Sequence, residues 1–311
     1  VRIHCQLDPS ALPAPAARIL REGLVGDAVS YAGAYDNLVA AREPVPEGVE
    51  IVFGQPDPKA LPASVRWVHL SSAGYARYEG VGGGWALTTS SSVYADPCAE
   101  QCLAAMLAHG RRLPAMAEDA LARRWRHRHH RDRMRLLRGS RVLLLGHGAI
   151  GRRLLALLAP FEVEATVLRR RPTGDEGVAA TTAEALDGAD GWSGFDHVVS
   201  SLPGSAGRVL DARRLARLGP QAFVYNVGRG NTLDAGALVE LLTDGRLAGA
   251  WLDVFEEEPL PEDSPLWTTP GLTVTPHAAG GRPGERAALM THFLENLERW
   301  RSDTPLLDRV R

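Results

Sequence analysis

The stretch Val142–Phe161, VLLLGHGAIGRRLLALLAPF, decides the fold. Its opening apolar residues run without alternation, as in a strand covered on both faces, and leucines on a helical period close it. Between them Gly146, Gly148 and Gly151 form G-x-G-x-x-G. In a strand–turn–helix setting, the first glycine of this motif permits the tight turn, the second lets backbone approach a pyrophosphate, and the third lets helix and strand pack closely. Ala149 and Ile150 open the helix, whose N-terminus faces the anion. This is the signature of a dinucleotide-binding unit.

The next strand ends in VEATVLRRRPTGDEG, Val163–Gly177. An acid that holds the ribose hydroxyls is expected about twenty residues beyond the glycines. Arg169 stands there, followed by Arg170. Arginine reverses the sign of the site and can fork onto a 2′-phosphate, so NADP(H) is expected over NAD(H), with NAD(H) still usable. Asp175 lies further on, past a proline and a glycine, and is read as too distant to replace the acid. The other reading of the arginines is solvated strand-end charge.

From Arg141 onward strands and helices alternate: RVLLLG, AIGRRLLALLA, VEATVL, DHVVSSLP, DARRLARLG, AFVYNVG, DAGALVELLTDG, LAGAWLDVF and LTVTPH. Such a series predicts an α/β fold with a doubly wound parallel sheet. Upstream, VRIHCQL, VEIVFG, RWVHLSSAG and WALTTSSS read as buried strands, with AARILREGL as a helix. CAEQCLAAMLAHGRRL reads as a helix with Pro97 just before its first turn, and GERAALMTHFLENLERWRS as the last helix.

The 311 residues allow one large or two ordinary domains, and 45% hydrophobic residues suffice for a packed core. A net charge of −2 offers no basic field for nucleic acid or membrane. There is no run of about eighteen apolar residues and no charged-then-apolar leader, so a soluble, cytoplasmic protein is expected. Cys5, Cys98 and Cys102 match no disulfide or metal spacing. The sole lysine, Lys59, sits in the loop GQPDPKALP, a poor setting for amine catalysis. LARRWRHRHHRDRMRLLRGSR is dense in Arg and His. No zinc signature fits it and aromatics are not interleaved, so a solvated face or subunit contact is read rather than a metal or nucleic-acid site.

The most specific signal is NVGRGNTLDAGALVELLTDGRLAGAWLDVFEEEPLPEDSPLW, followed by LTVTPHAAG. Arg229, Asp253, Glu258 and His277 each follow a strand, which would gather them at the carboxyl edge of the sheet. Arg229 can grip a carboxylate or polarise a carbonyl oxygen, His277 can pass a proton near neutral pH, and Glu258 can orient His277 and favour its charged form.

With these motifs the chain resembles the D-isomer-specific 2-hydroxyacid dehydrogenase family over nearly its whole length, most closely its NADPH-dependent glyoxylate/hydroxypyruvate reductases. The matching blocks are N-x-x-R-G, LDVF-x-x-EP and TPH-x-AG. The resemblance implies two Rossmann-like doubly wound domains with the active site in the cleft between them. Residues 1–97 and 279–311 would form a discontinuous substrate domain, and 98–278 the dinucleotide domain. It implies Arg229, Glu258 and His277 as the catalytic three, and substrate carboxylate binding by Ser72, Ala73, Gly74 and Arg229. Leu202, Pro203, Val227, Gly228, Asp253 and His277 would lie along the nicotinamide half of the cofactor. It further implies a homodimer that reduces a small 2-oxo acid to the D-2-hydroxy acid. Ala73 stands where phosphite-oxidising members carry lysine, and Glu258 where formate-oxidising members carry glutamine, which argues against both activities. Glu162 replaces the usual glycine before the second strand. The same family includes corepressors that bind dinucleotide without turnover, the alternative reading.

Overall fold

The computed structural model describes residues 1–7, 9–32, 44–188 and 191–310. The chain forms two compact units, Val1–Tyr94 with Gly281–Arg311, and Ala95–Gly280.

The first unit opens with β1 (Arg2–Cys5), α1 (Ala14–Gly23), β2 (Ala28–Tyr31), β3 (Ile51–Gly54), β4 (Trp67–Leu70) and β5 (Ala86–Thr88). α2 (Ser91–Gly110) runs across the division. The second unit continues with α3 (Leu113–Leu121), α4 (His127–Arg131), β6 (Arg141–Leu145), α5 (Ala149–Leu158), β7 (Glu164–Leu168), β8 (Ala179–Thr181), α6 (Ala183–Gly188), β9 (His197–Ser200), α7 (Ala212–Leu215), β10 (Phe223–Asn226), α8 (Ala235–Thr243), β11 (Gly249–Leu252) and β12 (Leu272–Val274). The chain then returns to the first unit with α9 (Glu285–Arg301).

Both sheets are parallel throughout. The first has the order β2-β1-β3-β4-β5. Alternate side chains face opposite ways along each strand. Ile3, Cys5, Ile51, Phe53 and Trp67 therefore pack with Leu20 of α1 and Leu289, Phe293 and Leu297 of α9. Val52, Val68, Leu70 and Leu87 form a separate core with Tyr78 and Trp85. Phe53 and Phe293 stack at 4.3 Å.

The second sheet has the order β12-β11-β10-β9-β6-β7-β8. Its order reverses between β6 and β9, the switch point at which open α/β sheets of this kind bind ligands beyond the strands' carboxyl ends. Leu143, Leu145, Val198, Val224, Ala250 and Leu252 pack with Leu238 and Leu241 of α8 on one core.

One expectation needs correction. α2 begins at Ser91, and Pro97 lies inside it rather than before it. The reason is distant in sequence: the Asp308 carboxylate accepts from Ser92 N and from the Ser92 hydroxyl, both at 2.7 Å, so the helix start is capped by the chain's far end. The edge strands β2 and β8 carry no apolar run and went unread, because an edge strand pairs on one side and need not be buried. The Arg/His-rich stretch is organised by an acid. Asp119 is buried and accepts from Arg124 at 2.9 Å, from Arg126 at 2.6 and 2.8 Å, and from His130 at 2.8 Å. These bonds, Arg126 first, hold its carboxyl well below the usual range. Trp125 in the same stretch is 93% exposed. Cys98 and Cys102 are buried and joined in no disulfide, and burial pushes the Cys102 thiol up. Among the described residues no helix is long and apolar enough to cross a membrane.

Candidate active site

The glycine turn sits between β6 and α5 as the spacing predicts. A Cβ on Gly151 would lie 2.6 Å from the Gly146 carbonyl oxygen, so only glycine allows this strand–helix approach. Gly148 is the N-cap of α5, which has no side-chain cap. The first-turn N–H groups are thus left to an external acceptor, and a Cβ on Gly148 would meet nothing within 4 Å. A turn with an uncapped helix start and open space above it fits a pyrophosphate. Across the switch point Gly146 approaches Leu202 and Ser201, which follow β9.

Arg169 lies beside this turn. β7 pairs with β6 through Leu168 and Leu145, and Gly146 N donates to Leu168 O at 3.0 Å. The His147 imidazole is held below its ordinary value by burial first, and then by Arg152 and Arg169. Two acids of the following loop lie close to Arg169. Its Nη1 donates to Glu176 Oε1 and to Thr173 Oγ1, both at 2.8 Å, and Asp175 lies 3.9 Å away. The Glu176 side chain is 1% exposed. Arg170 and Arg171 are exposed.

The sequence-predicted catalytic residues follow three adjacent strands, β10, β11 and β12. Arg229 follows β10, in a loop tied by Asn226. Asn226 Oδ1 accepts from Gly228 N at 3.1 Å, and Nδ2 donates to Arg229 O at 3.0 Å. Arg229 Nη1 donates to Gly228 O at 2.6 Å. Two close approaches seat this loop between its neighbours. A Cβ on Gly228 would lie 2.4 Å from Leu202 O, and one on Gly230 would lie 1.9 Å from the Phe255 carbonyl carbon. The loops carrying Leu202, Arg229 and Glu258 are therefore in backbone contact.

Glu258 is anchored through Oε1, which accepts from Phe255 N at 2.9 Å, while Oε2 lies 2.7 Å from His277 Nδ1. An ionised carboxylate only accepts, so Nδ1–H is the donor and Nε2 is the ring atom that can exchange a proton with a ligand. The His277 side chain is 49% exposed. Its backbone is left-handed, with φ 50°. A non-glycine residue holds that conformation only where its surroundings fix it.

Asp253 does the fixing. Its carbonyl accepts from His277 N at 2.8 Å. Its Oδ1 accepts from Thr275 Oγ1 at 2.5 Å and Ala278 N at 3.0 Å, and Oδ2 accepts from Ala279 N at 3.0 Å. Trp251 Nε1 donates to the same Thr275 hydroxyl at 3.0 Å. Asp253 is thus a buried organiser of the histidine loop, a part the sequence did not show. Asp253→Asn sets an amide against one of these donors. The expected cost is about 1–3 kcal/mol of stability, with a fall in kcat as the histidine loses its fixed backbone. Denaturant unfolding and initial rates check it; an unchanged kcat with full stability would contradict the positioning role.

Ser72, Ala73 and Gly74 lie in the first unit, just after β4, in a turn closed by Ser72 Oγ donating to Gly74 O at 2.9 Å. Asn226 and Glu176 are the site residues that sequence reasoning passed over. Asn226 stands in the N-x-x-R-G block and was readable there; Glu176 carried no local signal.

The D-isomer specific 2-hydroxyacid dehydrogenase NAD-binding domain model matches residues 103–279. A Corynebacterium melassecola protein described as an uncharacterized protein in the proB 3′ region is 33% identical over 76% of this chain and 79% of its own length. A glyoxylate/hydroxypyruvate reductase A from Enterobacter sp. (strain 638) is 32% identical over 53% of this chain, which spans 54% of that enzyme's length. Among solved structures, a D-isomer specific 2-hydroxyacid dehydrogenase from Xanthobacter autotrophicus Py2, in complex with NADPH and MES, aligns with a TM-score of 0.80 at 27% identity, covering 100% of this chain and 98% of that one. With its glycine turn, its paired glutamate and histidine and this match, the chain belongs to the D-isomer specific 2-hydroxyacid dehydrogenase family.

Proposed function

We propose that the protein is an NADPH-dependent reductase of small 2-oxo acids, of the glyoxylate and hydroxypyruvate class, and forms the D-2-hydroxy acid. The observation that carries the reading is the 2.7 Å pairing of His277 with Glu258 at the carboxyl edge of a sheet that also presents Arg229 and a dinucleotide turn. The Enterobacter reductase and the NADPH complex of the Xanthobacter relative support it.

Gly146, Gly148, Ala149, Ile150 and Gly151 would hold the pyrophosphate, and Arg169 and Arg170 the 2′-phosphate. Leu202, Pro203, Val227, Gly228 and Asp253 would border the nicotinamide end. The bound reduced dinucleotide supplies the hydride for the substrate's carbonyl carbon. Arg229 grips the 2-oxo acid and offsets the charge that develops on its carbonyl oxygen. Ser72 and the backbone N–H groups of Ala73 and Gly74, in the first unit, are the carboxylate-binding groups that the family resemblance implies. His277 delivers the proton from Nε2 to the carbonyl oxygen while Glu258 keeps the ring aimed. The non-catalytic binding alternative is not favoured, because it has no use for a paired, solvent-accessible acid–base residue.

The reading is tested by incubating the protein with NADPH and hydroxypyruvate and resolving the product on a chiral column. D-Glycerate is expected. L-Glycerate, or no glycerate from hydroxypyruvate together with no glycolate from glyoxylate, would refute it.

A further inference from the structure

The loop Pro172–Gly177 folds back so that a buried carboxylate meets the guanidinium at the end of β7. Glu176 Oε1 accepts from Arg169 Nη1, from Thr173 N at 2.8 Å and from Thr173 Oγ1 at 3.0 Å, and Oε2 accepts from Gly174 N at 2.9 Å. Both carboxylate oxygens are thus engaged by donors of the same loop and by Arg169. A carboxylate so engaged and so buried does not offer acceptors to ribose hydroxyls, so Glu176 is not the displaced ribose acid. Backbone donation from Thr173 leads the causes that hold its carboxyl down at about 2, against an ordinary 4.5. The ion pair therefore persists at neutral pH and through the ordinary carboxylate range, and opens only as pH falls toward 2.

We infer that Glu176 is a positioning residue for 2′-phosphate recognition: it fixes the Arg169 guanidinium in one orientation beside the glycine turn, so that this chain selects adenosine phosphates that carry a 2′-phosphate. The inference rests on the NADP(H) reading above. Every contact Arg169 makes with the loop runs through Nη1. None of these contacts uses Nη2 or Nε, which lets another edge of the planar fork meet an anion. An unheld arginine must lose its side-chain freedom when phosphate binds; here folding has already removed it, and pre-organisation of this kind raises affinity without a new ligand contact. The carboxylate also opposes an incoming phosphate by charge. Its burial among four donors disperses that charge into the loop, and orientation is the larger effect.

The test is calorimetric binding of adenosine 2′,5′-bisphosphate and adenosine 5′-monophosphate to the full chain, with no turnover required. Glu176→Gln keeps the shape and removes the charge, and its amide faces a backbone N–H where an oxygen stood. It is expected to weaken the bisphosphate about tenfold and to leave the monophosphate within about twofold. Arg169→Ala is expected to weaken the bisphosphate at least as much, and Glu176→Gln added to it is expected to change nothing further. Thr173→Val, which keeps the loop's charges and removes one contact to Nη1, is expected to move the bisphosphate in the same direction by less, and serves if Glu176→Gln does not fold. Equal weakening of both ligands would reduce Glu176 to a structural role. Unchanged or tighter bisphosphate binding would show that the carboxylate repels rather than positions. Either result overturns the inference while Arg169→Ala still tests the arginine alone. If Arg169→Ala binds the bisphosphate as the unaltered chain does, the NADP(H) reading fails and takes this inference with it.

Discussion

His277→Ala is expected to lower kcat for 2-oxo acid reduction by about 10²–10⁴-fold, the usual contribution of a positioned general acid. NADPH affinity is expected to change by less than about threefold, since the dinucleotide turn and the arginines are untouched. The expectation follows from the geometry. Nδ1 is committed to Glu258 at 2.7 Å, so Nε2 is the exchangeable position. The backbone is held left-handed by the Asp253 carbonyl and carboxylate, so the ring is aimed by covalent geometry as well as by its partner. A split of kcat from Kd in stopped-flow and equilibrium titration checks it. A variant that keeps its turnover would show that the proton comes from another group.

Arg169→Asp is expected to shift the ratio of kcat/KM for NADPH over NADH by about 10²-fold or more toward NADH, because it exchanges a phosphate-binding cation for a phosphate-repelling anion. The new carboxylate stands at the end of β7, where an acid would accept from ribose hydroxyls. Glu176 makes the change larger, since two acids then face each other in the fold of one loop. NADPH turnover is expected to fall more than NADH turnover rises. Steady-state kinetics with both cofactors at a fixed oxo acid concentration checks it. An unmoved ratio would mean that the arginines are solvated strand-end charges.

Much of this was legible because the deciding signals are local. GHGAIG announces a turn wherever a strand precedes it and a helix follows. Buried parallel strands such as Phe223–Asn226 read as apolar runs because both faces are covered. Arg229, Glu258 and His277 each follow such a run, and strand order alone brings their loops together. The parts that escaped depend on long-range or folded-back contacts. The cap of α2 is supplied by Asp308, more than two hundred residues away. Asp253 meets its donors only once β11 and β12 pair, which places Thr275 and Ala278 over it. Glu176 was not weighed at all, because only the turn through Thr173 and Gly174 brings it to 2.8 Å from Arg169. The arginine on which the NADP(H) reading rests thus has a buried partner for its charge.

The most direct test of the central claim is the initial rate of loss of nicotinamide absorbance with NADPH and with NADH, against glyoxylate and hydroxypyruvate, with pyruvate and phenylpyruvate as larger comparisons. The account predicts turnover with glyoxylate or hydroxypyruvate that favours NADPH and disappears in His277→Ala. Preference for NADH, or no turnover of any of the four acids with either cofactor, would contradict it.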